Sequence, residues 1–270
     1  MNIYWLIPAL LLVIVLLGLP YGIDVTEVSV RSSKVTEEVK LAVVSDLHDA
    51  SYGKDNSRLT ALLKEQNPDL ILIPGDLFSD DAESRNAMPL LKSLQGYPIC
   101  FSAGNHEVNT KRLPDIYKEL TDAGVHVLDG SACILTVNGQ SIQTAGIADR
   151  KNQECYSEED IQGLFHSDGF RILLCHRPNW DKVYEQAQCD LIISGHAHGG
   201  HWRLPIVKKG IFAPQQGFMP ADTQGLKKLS HSYQFISRGL VRQSYGIIRL
   251  YNNPEIGIVH IVPQKERDKC

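Results

Sequence analysis

Leu41-Ala42-Val43-Val44-Ser45 is a short apolar run that stops on Asp46-Leu47-His48. The same arrangement recurs four times downstream. Residues 70–74 stop on Gly75-Asp76, residues 99–103 on Gly104-Asn105-His106-Glu107, residues 171–175 on His176, and residues 191–194 on Gly195-His196-Ala197-His198. Runs this short and apolar read as buried strands. Helical spacing lies between several of them. Leu59, Leu62 and Leu63 share a face before Asn67-Pro68 ends that helix, and Leu113, Ile116, Tyr117 and Leu120 do so before Gly124. Ser157-Glu158-Glu159-Asp160 has the form of a helix N-terminal cap. Asn138-Gly139, between the alternating stretches 132–137 and 141–145, predicts a tight hairpin, so the sheet is not purely parallel. Strand–helix alternation with hairpins predicts an α/β fold with mixed sheets.

Open α/β sheets gather their chemistry where the carboxyl ends of strands meet a crevice. Here five strand ends supply Asp46, His48, Asp76, Asn105, His106, His176, His196 and His198. Taken singly, an Asp after a strand is a turn former or helix cap, and a lone His is a core or surface residue. Those readings do not explain why all five runs end alike. A mixed imidazole, carboxylate and amide set suits borderline divalent ions such as Mn, Zn, Fe or Co. Eight groups exceed what one tetrahedral site takes, which points to two ions about 3.5–4 Å apart with one carboxylate bridging them. Such a pair suits in-line displacement at phosphorus, one ion generating hydroxide and both neutralising phosphoryl charge.

Asp46-x-His48, Gly75-Asp76, Gly104-Asn105-His106-Glu107, His176 and Gly195-His196-x-His198 together resemble the five-motif series of the calcineurin-like metallophosphoesterases. The intervals agree: Asp46 to Asp76 is 30 residues and Asp76 to Asn105 is 29. The resemblance covers roughly residues 39–262. The apolar N-terminus, the GHAHGG run, Ser237-Arg238-Gly239-Leu240 and Pro254-Glu255 are similar to the bacterial membrane-associated phosphodiesterase branch, which includes enzymes that cleave the pyrophosphate of UDP-diacylglucosamine. The resemblance implies a four-layer α/β/β/α metallophosphoesterase sandwich of two mixed sheets, with the site at their shared edge. It implies that Asp46, His48 and His198 hold one ion, that Asn105, His176 and His196 hold the other, and that Asp76 bridges. His106 would be the phosphate-contacting residue or leaving-group acid, a role imidazolium suits near neutral pH. Two departures stand out. The acidic partner of that histidine is uncertain in position, with Asp80 the expected one after Ser79. The branch usually continues GHAHGG with Gln, where this chain has His201. His201 is open between the metals, the substrate and the surface.

No charged side chain precedes Asp24, and the 21 residues from Ile3 to Ile23 would reach about 32 Å as a helix, enough to cross a bilayer core. Tyr4, Trp5 and Tyr21 fit interfacial positions. A cleaved signal peptide would want a basic start and a small-x-small site, both missing. The expectation is therefore a single transmembrane anchor over residues 3–23, a linker or edge strand over 24–38, and a metallophosphoesterase domain over 39–265. Arg31 and Lys34 follow the anchor and no Lys or Arg precedes it, so the positive-inside bias puts a membrane-bound domain on the cytoplasmic side.

Composition narrows the remaining classes. With 43% hydrophobic and 21% charged residues, disordered, collagen-like and disulfide-knot chains are excluded. A net charge of -4 argues against general nucleic-acid binding. Six Cys without a CxxC pair form neither a zinc ribbon nor a disulfide framework, and read as free, buried thiols in a reducing compartment. One segment departs from the acidic whole. Residues 199–240 carry Arg203, Lys208, Lys209, Lys227, Lys228 and Arg238 against Asp222 alone, with Trp202, Ile206, Ile211, Phe212, Phe218 and Met219 among them. This reads either as a solvated loop or as a cationic, partly apolar lip that meets a phosphate-bearing substrate or lipid headgroups, with Arg238 and His201 as candidate substrate contacts. The expected activity is hydrolysis of a phosphodiester or pyrophosphate, with a lipid-linked substrate as one candidate. The competing readings are a membrane-tethered binding protein on an inactive fold, which would have lost ligands, and a metallo-β-lactamase-type hydrolase, whose HxHxDH cluster is missing.

Overall fold

The computed structural model describes residues 6–80, 86–150, 157–161, 163–205, 209–244 and 246–264. The first half of the chain runs through α1 (Leu6–Gly18), β1 (Asp24–Ser32), β2 (Val39–Val43), α2 (Ser57–Gln66), β3 (Leu70–Ile73), α3 (Ala87–Ser93), β4 (Ile99–Phe101), α4 (Asn105–Asn109), α5 (Leu113–Asp122) and β5 (His126–Val127). The second half begins with β6 (Ser131–Val137), β7 (Gln140–Ile147), α6 (Glu158–Ile161), β8 (Phe170–Cys175), α7 (Asp181–Tyr184) and β9 (Leu191–Ser194). It ends with β10 (Phe212–Ala213), β11 (Gly217–Phe218), β12 (Gly225–Lys228), β13 (Tyr233–Ile236), β14 (Gln243–Ser244), β15 (Ile247–Ile248) and β16 (Glu255–Pro263).

Among the described residues the longer strands form two six-stranded mixed sheets, ordered β1-β16-β2-β3-β4-β5 and β12-β13-β9-β8-β7-β6. Strands β2, β3 and β4 run parallel, as do β7, β8 and β9. The expected hairpin forms, with Val137 paired to Gln140 across Asn138-Gly139.

Side-chain alternation sets the layers. Leu41 and Val43 of β2, and Leu70 and Leu72 of β3, point between the sheets, where they meet Phe170, Ile172 and Leu174 of β8, Leu191 and Ile193 of β9, and Phe235 of β13. Ala42, Ile71 and Ile73 point the other way, onto Leu59 and Leu63 of α2, Leu90 and Leu91 of α3, and Ile116 and Leu120 of α5. The opposite sheet buries its outer face against Ile161, Trp180 and Tyr184. Strands covered on both faces need an unbroken apolar run, which explains why the donor-tipped segments read so clearly. Each fully buried Leu or Phe in this sandwich contributes about 1.5–3 kcal/mol.

The N-terminal segment departs from the expectation of a 21-residue helix. Helix α1 covers 13 residues, about 20 Å at 1.5 Å per residue, and no helix among the described residues is long and apolar enough to cross a membrane. Residues 3–5 of the expected span lie outside the described residues. At the other end the Tyr251 N–H donates to the Gly18 carbonyl at 2.6 Å, and Pro20 has no N–H with which to continue the ladder. Past that turn Asp24 opens β1, which pairs parallel to β16 over nine residues at the edge of the first sheet. Cys100, Cys175 and Cys189 are buried free thiols and Cys133 is half-buried; Cys155 and Cys270 lie outside the described residues.

A candidate metal centre at the sheet edge

Because β2, β3 and β4 are parallel, their carboxyl ends deliver Asp46 and His48, Asp76, and Asn105 with His106 to one edge. From the second sheet β8 delivers His176, and β9 delivers His196 and His198. The backbone ties the two edges together. Ser237 N–H donates to Ser194 O at 2.8 Å, and Leu240 N–H to Ser45 O at 2.9 Å, so the turn after β13 crosses from one sheet to the other.

The donors converge in three overlapping groups: Asp46 with His48 and His198, His48 with Asp76 and His106, and Asp76 with His176 and His196. His48 is shared by the first two groups, and the last two share Asp76. Its Oδ2 lies 3.0 Å from His176 Nε2, 3.7 Å from His48 Nε2 and 3.9 Å from His106 Nε2, while its Oδ1 accepts the His106 N–H at 2.9 Å. His176 Nδ1 sits 3.1 Å from the Pro74 carbonyl, which can only accept. Nδ1 therefore carries the hydrogen, and Nε2 faces Asp76 and, at 3.2 Å, His196 Nδ1. His196 Nε2 meets Gln215 Oε1. His106 Nδ1 lies 2.9 Å from Asp80 Oδ1.

The arrangement is held under strain. Asp46, His48, Asp76, His196 and His198 all have φ between 45° and 65°. Non-glycine residues rarely occupy that left-handed region, and each such residue costs about 1 kcal/mol or more. Five of the seven candidate ligands share it, which marks a site whose geometry overrides local preference. Two glycines make room. A Cβ on Gly104 would lie 2.2 Å from Asp76 Oδ1, and one on Gly195 would lie 2.4 Å from Asp46 Oδ2. His48 Nε2 and Asn105 Oδ1 are buried with no hydrogen-bond partner among the described residues. Buried polar atoms are normally paired, so these orphaned acceptors, set beside carboxylates and imidazoles, fit a divalent cation.

Electrostatics prepare the imidazoles differently. Burial pushes His48 down to about 4 and His196 down to about 3, and it holds His198 well below the usual histidine range, so all three imidazoles are neutral at pH 7, the state that metal binding requires. Burial also opposes charge on His176, but Asp76 and Asp46 outweigh it and hold the group up to about 10. Asp76 shows the converse: burial raises it, while His176, His48 and His106 together keep it well below the carboxylate range.

The remaining sequence-predicted contacts fall elsewhere. His201 is 2% exposed, so the surface option is excluded; its ring lies 5.5 Å from His198 and stacks on Phe212. Arg238 is largely buried and paired within the fold. Its Nε bonds Glu255 Oε2 at 2.5 Å and its Nη2 bonds Asp24 Oδ2 at 2.9 Å, so it ties β16 to β1. Part of the cationic segment is paired in the same way. Lys227 pairs with Asp181 and Asp222, and Arg203 is buried against Gln224. Lys209 and Lys228 are exposed, and Lys208 and Ile206 lie outside the described residues.

Two residues without an assigned role in the sequence reading prove central. Glu107, fully buried, accepts N–H bonds from Gly104, Asp76 and Phe78 at 2.8–3.0 Å, clasping the turns after β3 and β4. Arg249 is buried behind the cluster, donating to Arg238 O at 2.7 Å, where its charge acts on Asp46 and adds to burial, the larger cause, in lowering the pKa of His48, His198 and His201. Glu107 was visible as the fourth member of its motif; nothing around Arg249 in the sequence marks it.

Comparison with known proteins agrees with this geometry. Residues 39–200 match the calcineurin-like phosphoesterase family. The chain is 30% identical over 233 residues to Phosphodiesterase YaeI of Escherichia coli strain K12, covering 83% of this chain and 82% of that protein. It is 28% identical over 236 residues to the uncharacterized metallophosphoesterase YkuE of Bacillus subtilis strain 168, covering 82% and 79%. Among solved structures, a 5'-nucleotidase precursor from Thermus thermophilus shares the fold at a TM-score of 0.51 and 14% identity, covering 83% of this chain and 54% of that one.

Proposed function

Because the chain belongs to the calcineurin-like phosphoesterase family, we propose that it is a dinuclear metal-dependent hydrolase of a phosphodiester or pyrophosphate bond. The observation that carries this reading is the convergence of Asp46, Asp76 and five imidazoles in overlapping groups, at an edge where two sheets meet. Asp46, His48 and His198 would hold one ion, Asn105, His176 and His196 the other, and Asp76 both. Bound divalent ions supply Lewis acidity toward phosphoryl oxygens and lower the pKa of water.

The chain's own residues do the rest. His176, fixed through Nδ1 by the Pro74 carbonyl, and His196, fixed through Nε2 by Gln215, present their remaining nitrogens to the cluster. His106 is oriented through Nδ1 by Asp80, which leaves Nε2 toward the centre as proton donor to the leaving oxygen. In the balanced step a water oxygen bonds to phosphorus, the bond from phosphorus to the leaving oxygen breaks, that oxygen takes the His106 proton, and a water proton returns to the imidazole.

The test is a substrate panel with the full chain, stripped of metal and reloaded with Mn, Zn or Mg. Hydrolysis of an aryl phosphodiester or a nucleoside diphosphate sugar that appears only on reloading is expected. A reloaded protein inert toward every mono- and diester, with metal bound, would sink the hydrolase reading in favour of a binding protein on this fold.

Helix α1 adds a place of action. Leu11, Leu12, Val15 and Leu17 are all more than 40% exposed, and so is every other Leu, Ile and Val of the helix, which gives it no polar face to turn to water. The proposal is that α1 enters a lipid surface and brings the centre to lipid-borne esters. The full chain is expected to float with phospholipid vesicles, and the double substitution Leu11→Asp, Val15→Asp to remain in the soluble fraction; equal flotation of both would remove α1 from this role.

A further inference from the structure

Beside the cluster lies apolar surface that phosphoryl chemistry does not use. Trp202, Phe212, Met219 and Ile248 are exposed, and Phe218 is 80% exposed. His201, Trp202, Ile211, Phe212, Phe218 and Ile247 surround a hollow of about 410 Å³, a volume within the range of small-molecule sites. Its shape is built into the backbone. Phe212 and Phe218 face each other across the β10–β11 pair, their rings 5.8 Å apart. Ile211 N–H donates to Trp202 O at 2.8 Å, and Trp202 Nε1 donates to Ile248 O at 2.9 Å, so hairpin, tryptophan and β15 are held together.

Position decides what such a hollow holds. His201 forms part of its wall, with its ring 6.0 Å from Phe212 on one side and 5.5 Å from His198 on the other, so the hollow is one ring away from the candidate metal ligands. The same stretch of chain also carries α1. Leu250 N–H donates to His201 O at 3.4 Å, and the next residue, Tyr251, bonds Gly18 O through its N–H and Ile14 O through its hydroxyl. An exposed apolar helix and an exposed apolar hollow therefore hang on neighbouring residues, at the rim of a site for phosphate esters.

We infer that the hollow is a binding site for an alkyl or acyl chain of the substrate, lying on Phe212, Phe218 and Trp202 while the phosphoryl group passes His201 to the cluster. The inference rests on the phosphoesterase reading and adds the substrate class, an amphiphilic phosphate ester. It also gives a use to the aromatic side chains of the 199–240 segment, Trp202, Phe212 and Phe218, which stand exposed at this rim.

A series of 4-nitrophenyl alkyl phosphodiesters, from methyl to dodecyl and kept below micellar concentration, tests it with the metal-loaded full chain. The specificity constant is expected to rise about two- to fourfold per methylene until the hollow is filled. The ratio of longest to shortest ester, taken within each protein, is expected to collapse in Phe212→Ala and Phe218→Ala. It should persist in Ile134→Ala, which removes an exposed apolar side chain on β6. A flat series with the methyl ester turned over would overturn the inference and leave the hydrolase reading intact. So would a slope kept by both phenylalanine variants, which would put the chain on α1. If no ester is hydrolysed, decyl phosphate binding followed by Trp202 fluorescence, with Trp202→Phe as blank, decides instead: chain-length-dependent binding supports the hollow, and none overturns it.

Discussion

Asp76→Asn is expected to remove bound metal and to lower phosphodiester hydrolysis by about 10³-fold or more, since Lewis-acid stabilisation is worth several kcal/mol and each 1.4 kcal/mol is about tenfold in rate. The substitution keeps size and shape, so its effect reports charge and donor chemistry. Asp76 is 1% exposed, and its Oδ2 is the one oxygen facing His176, His48 and His106 at 3.0–3.9 Å. An amide there either turns its NH2 into three imidazole nitrogens or offers a single neutral oxygen where a charged one stood. In the proposed assignment Asp76 serves both ions, so both should weaken together, unlike a change at His198 or His196, each of which belongs to one group. Metal content by elemental analysis after gel filtration, read beside turnover, checks the claim. A variant holding its full metal complement with near-normal turnover would show that Asp76 is not shared.

Much of this centre was readable before any fold was known, and the reason is physical. Strands buried on both faces cannot tolerate polar residues, so the step from Ile73 to Asp76 or from Ser194 to His196 is abrupt and unmistakable. Gly104 and Gly195 belong to the same signal, because the carboxylates of Asp76 and Asp46 occupy the space a side chain would need. What could not be read is the pairing of distant parts. Nothing local tells that β1 joins the first sheet by lying parallel to β16, or that Arg238 spends its charge on Glu255 and on Asp24, 214 residues earlier. A count of cations in 199–240 suggested a charged lip; Lys227 and Arg238 instead pair with Asp181, Asp24 and Glu255 outside that stretch, while Lys209 and Lys228 stay exposed, and partner choice is a property of the fold. The left-handed backbone at Asp46, His48, Asp76, His196 and His198 is likewise invisible locally, since none of these residue types favours it enough to predict it.

His106→Ala is expected to keep the metals and to lose about 10²–10⁴-fold in rate, the range for a positioned general acid. Geometry leaves a real alternative, because His106 groups with His48 and Asp76 and its Nε2 is 3.9 Å from the shared Asp76 oxygen, which would also suit a ligand. The leaving group separates the two roles. An acid matters when the departing oxygen is basic and little when it is not, so the loss should be large for an alkyl or sugar leaving group and small for 4-nitrophenolate. A metal ligand would be missed equally by both esters. Asp80→Asn should show the same dependence in weaker form, because the Asp80 side chain is 63% exposed and water can replace part of its hold on Nδ1. Equal losses for both leaving groups, together with a metal content lowered by His106→Ala, would move His106 from proton donor to ligand. Asn105, its neighbour on the first turn of α4 with a buried oxygen that lacks a partner, would then no longer suffice as the donor from that strand end.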